Sequence, residues 1–369
     1  MQNRVEIFGL SRLPLIIFVV GLLFIAGLLW ISISNGGGLS LAEVSAVIEP
    51  MVVDGRMDLS EWDFEKNGPV SLDGEWHFYW GELMTAEEIN GRPDGPDARL
   101  MVPSPWIADE EANLQANGIG TYHLQIKLPP RSPMMAVKVG VIDTVFEMYA
   151  NQERVTYAGS LGPNPDEYVP GFGPRLGYVR PQSDTIDLIV HVGNYAFRNP
   201  GITQSIEFGD AASIVRLREV DLVLEFSLAG AALIMGFYHF GLYTTRKREN
   251  DSALTFGFFC VLMAVRILVT GSNFLMELFP ALHWPTIIRI NFLTFYLGVP
   301  VFYHFVHQLY PKELTKTLMW ATWTISLGVS LLTVLVPVAV FVHFLTPYQI
   351  FFLLTSVYVL FAIILACIR

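Results

Sequence analysis

The chain has 369 residues, 52% hydrophobic and only 15% charged, with a formal net charge of −11 and a mean hydropathy of +0.44; soluble domains carry roughly 25% charged residues, so part of the chain is expected to lie in lipid. The acidity is localised: residues 36–220 hold 27 Asp+Glu against 13 Lys+Arg, a net of −14, while the remainder is +3. A surface this anionic repels phosphate backbones and argues against nucleic acid as a partner of that part, while leaving a cationic or neutral ligand or a divalent ion open.

The first element is the apolar stretch Leu13–Ile31, near the ~20 residues that a helix needs to cross a hydrocarbon core. It reads either as an uncleaved anchor or as a signal peptide with small residues at Ser40 and Ala42. Residues 1–35 are therefore set apart from an acidic domain at 36–218.

Within that domain the periodicity is that of strands. Tyr122–Leu128 (YHLQIKL), Val137–Tyr149 (VKVGVIDTVFEMY) and Thr185–Val192 (TIDLIVHV) alternate apolar with polar residues or are bounded by turn formers such as Pro129-Pro130, Ala150-Asn151-Gln152 and Gly162-Pro163-Asn164-Pro165. Many short strands punctuated by Gly and Pro imply an all-β sandwich or jelly roll. The succession SLDGEWHFYW (Ser71–Trp80), VPSPW (Val102–Trp106), GIGTYHL (Gly118–Leu124) and HVGNY (His191–Tyr195) resembles the sugar-binding jelly-roll domain found beside the catalytic barrel of glycoside hydrolase family 2. Trp76, Trp80, Trp106 and Tyr122 are expected first to pack the sandwich, and Asp73-Gly74 to make a turn. Ligand contacts are expected on loops at one end of the scaffold. The candidates are Arg175 in GFGPRLG, Asn194 and Arg198 after the last strong strand, and Trp106 as an aromatic platform; a solvated or strand-capping role is the plainer alternative for the three polar residues. No acid pair marks a glycosidase, and no catalytic residue is assigned.

The connection Ala211–Asp221 is short and charged rather than Gly/Ser-rich, which predicts a stiff link. Five apolar segments follow in a domain set at 219–369: Leu222–Tyr243, Ala253–Gly271, Ile287–Gln308, Leu318–Val338 and Leu345–Ile368. Arg4 and Arg12, the cluster Arg246-Lys247-Arg248, Lys312 and Lys316, and Arg369 all fall on one side under the positive-inside rule, whereas Ser272–Trp284 has no Lys or Arg. The expected topology puts the N-terminus inside, the acidic domain outside and the fifth crossing back inside.

Polar residues inside these segments are candidate intramembrane sites, because charge at the bilayer centre costs about 2.5–3.5 kcal/mol on insertion scales. Arg266 is expected to snorkel or to pair with Glu225 or Glu277. His239, His304 and His307 are expected to hydrogen-bond between helices; His304 and His307 share a face at i, i+3 without a third ligand, so no metal site is read. The two cysteines, Cys260 and Cys367, both lie in apolar runs, and neither a disulfide nor a cofactor motif is implied.

GFYHFGLYTTRKREND (Gly236–Asp251), LTFGFFCVLMAVRILVTG (Leu254–Gly271), Trp284-Pro285, RINFLTFYL (Arg289–Leu297) and LYPKE (Leu309–Glu313) resemble the bacterial seven-transmembrane receptors with diverse intracellular signalling modules. The resemblance implies an all-β ectodomain, seven helices and a cytoplasmic kinase, cyclase or phosphatase module, working as a dimer in the inner membrane. It implies a small-molecule or carbohydrate ligand outside the cell. Five segments where the family has seven, and no signalling module after them, lead us to expect a C-terminal truncation. An envelope glycan-processing accessory module and a membrane-anchored adaptor are the alternatives.

Overall fold

The computed structural model describes residues 50–368 except 143, 162–166, 172, 174, 196, 246–250, 273, 275–278, 280 and 281. Leu13–Ile31, the cluster Arg246-Lys247-Arg248, Glu277, Arg369 and the Gly162–Pro165 breaker lie outside the described residues. The chain divides into a β-rich unit reaching Leu224, with Ser272–Trp284, and a helical unit of Glu225–Gly271 and Pro285–Arg369.

The β-rich unit is a jelly-roll sandwich. Its elements are β1 (Arg56–Asp58), α1 (Phe64–Asn67), β2 (Val70–Ser71), β3 (Gly74–Trp80), α2 (Ala86–Gly91), β4 (Ala98–Val102), β5 (Gly118–Lys127), β6 (Met135–Val139), β7 (Val145–Ala150), β8 (Glu153–Ser160), β9 (Val169–Pro170), β10 (Arg175–Val179), β11 (Thr185–Asn194) and β12 (Ile206–Asp210). One sheet has the order β4-β3-β5-β11-β7-β8-β9 with β1 parallel to β5, and the other β10-β6-β12-β2. Strands β5, β6 and β7, then β10, β11 and β12, alternate between the two sheets, so the chain repeatedly crosses the ends of the sandwich.

The alternation in TIDLIVHV has its physical consequence in β11. Ile186, Leu188, Val190 and Val192 are buried between the sheets, while Asp187 and His191 point to the opposite face. Trp76, Phe78, Trp106, Tyr122, Phe146 and Phe208 fill the space facing them, with Trp80 packed at the edge. The run Val137–Tyr149, expected as one strand pattern, is two strands in different sheets. The break falls at Gly140, where an added Cβ would lie 2.1 Å from Gln204 Oε1; that same oxygen accepts a hydrogen bond from Val141 N at 2.9 Å and holds the crossover.

Helices also occur where only strands were expected. Thr85 and Glu88 form a capping box at the start of α2. This helix lays Ala86 and Ile89 over Tyr79 and Ile189, building a small second core on the outer face of the large sheet.

At the end of β12 the chain passes directly into α3 (Ala211–Thr245). Asp210 Oδ1 accepts from Ser213 N at 3.0 Å, capping the new helix. Ile214 is fully buried, and Asp221 is paired with Lys138 of β6. The link is thus helical and fastened to the β-sandwich over its first turns.

The helical unit adds α4 (Asp251–Thr270), α5 (Trp284–Leu309), α6 (Lys316–Leu335), the short α7 (Val338–Phe341) and α8 (Leu345–Ile368). Among the described residues five helices are long and apolar enough to cross a membrane. Of the five, α5 is the most enclosed and α3 the least. Pro337 stops α6 short of the expected Val338, because the residue before proline is driven out of the helical region.

Candidate ligand-binding site

The β7–β8 hairpin turns at Asn151, whose φ of 56° is the left-handed conformation that asparagine tolerates. Just beyond it the pairing slips: Tyr149 faces Arg154, yet Met148 faces Thr156, leaving Val155 as an extra residue. Residues three apart on a regular strand point to opposite faces. The bulge cancels that parity, as bulges do when they re-aim a side chain, and brings Arg154 and Tyr157 to the same outer face. The Arg154 guanidinium carbon sits 4.5 Å from the Tyr157 ring centroid.

Strand β10 approaches β8 closely because Gly177 has no side chain: a Cβ there would come within 2.9 Å of Val137 and 3.2 Å of Thr156. Arg175 at the start of β10 donates from Nε to the Tyr157 carbonyl at 3.3 Å. Between the two strands lies a groove of about 500 Å³ lined by Arg154–Gly159, Arg175 and Leu176. Its described lining carries two guanidiniums and no carboxylate, within a domain whose net charge is strongly negative. The acid beside it, Glu147, is 3.8 Å from Arg154 and accepts a 2.6 Å hydrogen bond from the Tyr149 hydroxyl. Burial, then that bond to Glu147, pushes the Tyr149 hydroxyl up to about 12, so it stays a donor.

The other expected contacts are elsewhere. Trp106 is in the sandwich core, 1% exposed, packed on Phe78 and Trp80, with Nε1 donating to Gln115 O at 2.8 Å. Asn194 is fully buried; its amide donates to Ala116 O and Phe197 O at 2.8 and 2.7 Å and accepts from Phe197 N at 3.0 Å. It braces the chain after β11. Arg198 is half-buried beyond it and does not line the groove. Of the four candidates only Arg175 meets the groove. Arg154 and Tyr157 escaped the sequence reading because their spacing places them apart on any unbulged strand.

A second polar cluster crosses β4, β3, β5 and β11 on the outer face. His77 Nε2 and Arg99 Nε both meet Asp54 Oδ1, at 3.1 and 2.7 Å; the Arg99 bond, then that of His77, holds the Asp54 carboxyl near 2. His123 Nε2 lies 3.0 Å from Asp187 Oδ1, which keeps the Asp187 carboxyl below its usual range.

In the helical unit Arg266 is buried. It donates from one nitrogen to Asn291 O and Oδ1 at 3.0 and 3.2 Å, with its guanidinium 5.1 Å from the Phe295 centroid. Arg266 is thus buried rather than snorkelling outward, and its described partners are a carbonyl, an amide and a ring; the Glu225 carboxylate lies instead against Gly271, and Glu277 is outside the described residues. The histidines also differ from the expected interhelical bonding. His239 Nδ1 bonds Met235 O at 2.8 Å within its own helix and rests edge-on to Phe256. His304 Nε2 is 3.4 Å from Gln308 of the same helix and near Trp323, and His307 Nδ1 is buried with no hydrogen-bond partner among the described residues. No group of three metal-ligating side chains occurs among the described residues. Two unanticipated ties join the helices: Tyr348 OH bridges Ser326 Oγ and Tyr296 O, and Arg289 caps the end of α6 at Thr333 O and Val336 O.

A β-sandwich domain followed by a helical domain with five helices, among the described residues, long and apolar enough to cross a membrane defines a multi-pass membrane protein. Residues 222–369 match the family model described as 7TM diverse intracellular signalling. No curated protein matches the chain. Among solved structures, a β-glucuronidase of Ruminococcus gnavus is similar at 20% identity, covering 38% of this chain and 27% of that one, with a TM-score of 0.29. The GH2 β-galacturonidase of Eisenbergiella tayi, bound to galacturonate, is similar at 9% identity, covering 38% and 24%, with a TM-score of 0.27. The chain spans about a quarter of the length of these enzymes.

Proposed function

We propose that this chain is the sensing part of a bacterial inner-membrane receptor. The acidic sandwich lies outside the cytoplasm and binds a solute, with carbohydrate the class its jelly-roll scaffold suits; the helices pass the bound state to a cytoplasmic signalling module. The observation that carries the reading is the order of parts: a β-sandwich running without a flexible linker into a 7TM diverse intracellular signalling domain. No catalytic step is assigned to these residues. A ligand moves such an equilibrium only by its differential affinity for two states, and the capped, ion-paired start of α3 is where the sandwich would exert that bias.

The test is direct binding of neutral and acidic mono- and oligosaccharides to the full chain in nanodiscs, read by calorimetry. Saturable binding of a saccharide supports the reading. Capture of an envelope protein, with no small-molecule binding, overturns it in favour of an adaptor.

A further inference from the structure

We propose that the groove between β8 and β10 is the ligand site and that its ligand is a small sugar bearing a carboxylate, held by Arg154 and seated against Tyr157. The inference rests on the reading of the sandwich as a solute-binding domain and narrows it to one place and one chemical class.

Four observations carry it. The bulge at Val155 costs the β7–β8 ladder a regular pairing, and bulges recur where a side chain must be re-aimed; its consequence here is to stack Arg154 on Tyr157. Stacking engages the π face of the guanidinium and Glu147 approaches Nη1 alone, at 3.8 Å, so Nε and Nη2 face a planar carboxylate while the side chain's rotamer freedom is already reduced. Tyr157 is 51% exposed and offers both apolar surface and a hydroxyl. The groove's ~500 Å³ falls in the usual range for small-ligand sites and suits one or two sugar rings.

Charge sets the upper limit on the ligand. The domain as a whole is strongly anionic, which repels polyanions at long range. The described lining of the groove carries two guanidiniums, one of them 3.8 Å from Glu147, and no carboxylate, so a ligand with a single carboxylate meets local attraction without the full repulsion.

The experiment titrates the full chain in nanodiscs with glucuronate, galacturonate, mannuronate and guluronate, with their methyl esters, with the parent hexoses and with inorganic phosphate. At least one acid is expected to bind roughly ten- to hundredfold more tightly than its ester, the span of one charge-assisted hydrogen-bonded contact. Arg154→Gln is expected to erase that preference, Arg154→Lys to keep part of it, and Tyr157→Ala to weaken acid and ester together, all with unchanged thermal midpoints. Equal affinity for acid, ester and hexose, or acid binding untouched by Arg154→Gln, overturns the site while leaving a saccharide sensor standing. Phosphate competing as well as the acid overturns the sugar assignment. Absence of any saccharide binding overturns this inference and the carbohydrate reading beneath it.

Discussion

Arg154 and Asn194 show how differently single residues reach their roles. Asn194 stood out in the sequence as a polar residue closing a strong strand, yet every polar atom of its side chain is spent on nearby backbone. Asn194→Ala is expected to cost about 1–3 kcal/mol by removing the partner of the part-buried Ala116 and Phe197 carbonyls, read as a lowered thermal midpoint in detergent. His191 sets a pH dependence. Its Nε2 meets Met84 O at 2.9 Å, and burial lowers its pKa below the ordinary 6.5. Between that lowered value and ~6.5 the unfolded chain binds more protons than the folded one, so stability is full above ~6.5 and declines as pH falls through this window. Glu147 and Glu88 face the same ring and oppose the shift. His191→Gln is expected to flatten thermal stability between pH 7 and 5. Below pH ~4, protonation of Asp187, whose folded pKa is also depressed, adds a further loss that the variant retains.

At the scale of elements, the strands were readable wherever one face is buried, because period-two alternation survives only there. β11 is the clear instance. The crossovers were not readable: Val137–Tyr149 keeps its alternation through Gly140 although the chain changes sheets, since both sheets bury their inner residues in one shared core. Asp73-Gly74, expected as a simple turn, is also a crossover, between β2 and β3. Gly74 has φ +133°, and a Cβ there would fall 2.2 Å from Val52 O. Gly74→Ala is therefore expected to destabilise the sandwich by at least roughly 1–3 kcal/mol from backbone strain alone, measured by thermal or chemical unfolding. The capping box Thr85-Ala86-Glu87-Glu88 was present in the sequence as a helix-start signal. That signal sits inside a stretch whose wider pattern is that of strands, which masks it.

For the whole molecule, the charge asymmetry about the apolar segments makes a prediction that packing does not. Single cysteines introduced at Glu61, Asp94 and Arg180 into a Cys260→Ser, Cys367→Ser chain are expected to react with a membrane-impermeant maleimide in intact spheroplasts. One introduced at Lys312 is expected to react only after permeabilisation. Equal labelling at both sets would reject the topology. The helical link makes a second prediction, for the chain joined to a signalling output. A six-residue Gly/Ser insert after Ser213 is expected to abolish the ligand response while leaving binding unchanged, because Asp210, Ile214 and the Lys138–Asp221 pair fasten the start of α3 to the sandwich.

Composition and periodicity by themselves determined the division into an acidic β domain and an apolar helical one, the five described helices long and apolar enough to cross a membrane, and the residues that form the sandwich core. Those properties depend on local sums of hydropathy and on a repeat of two or of twenty residues, which a linear string preserves. The candidate site is a property of register. One extra residue on β8 reverses side-chain parity, and one missing side chain on β10 lets two strands approach; neither changes composition or average periodicity. The tertiary structure alone therefore brought Arg154 and Tyr157 together beside Arg175, and placed two guanidiniums along one groove of a domain whose net charge is negative.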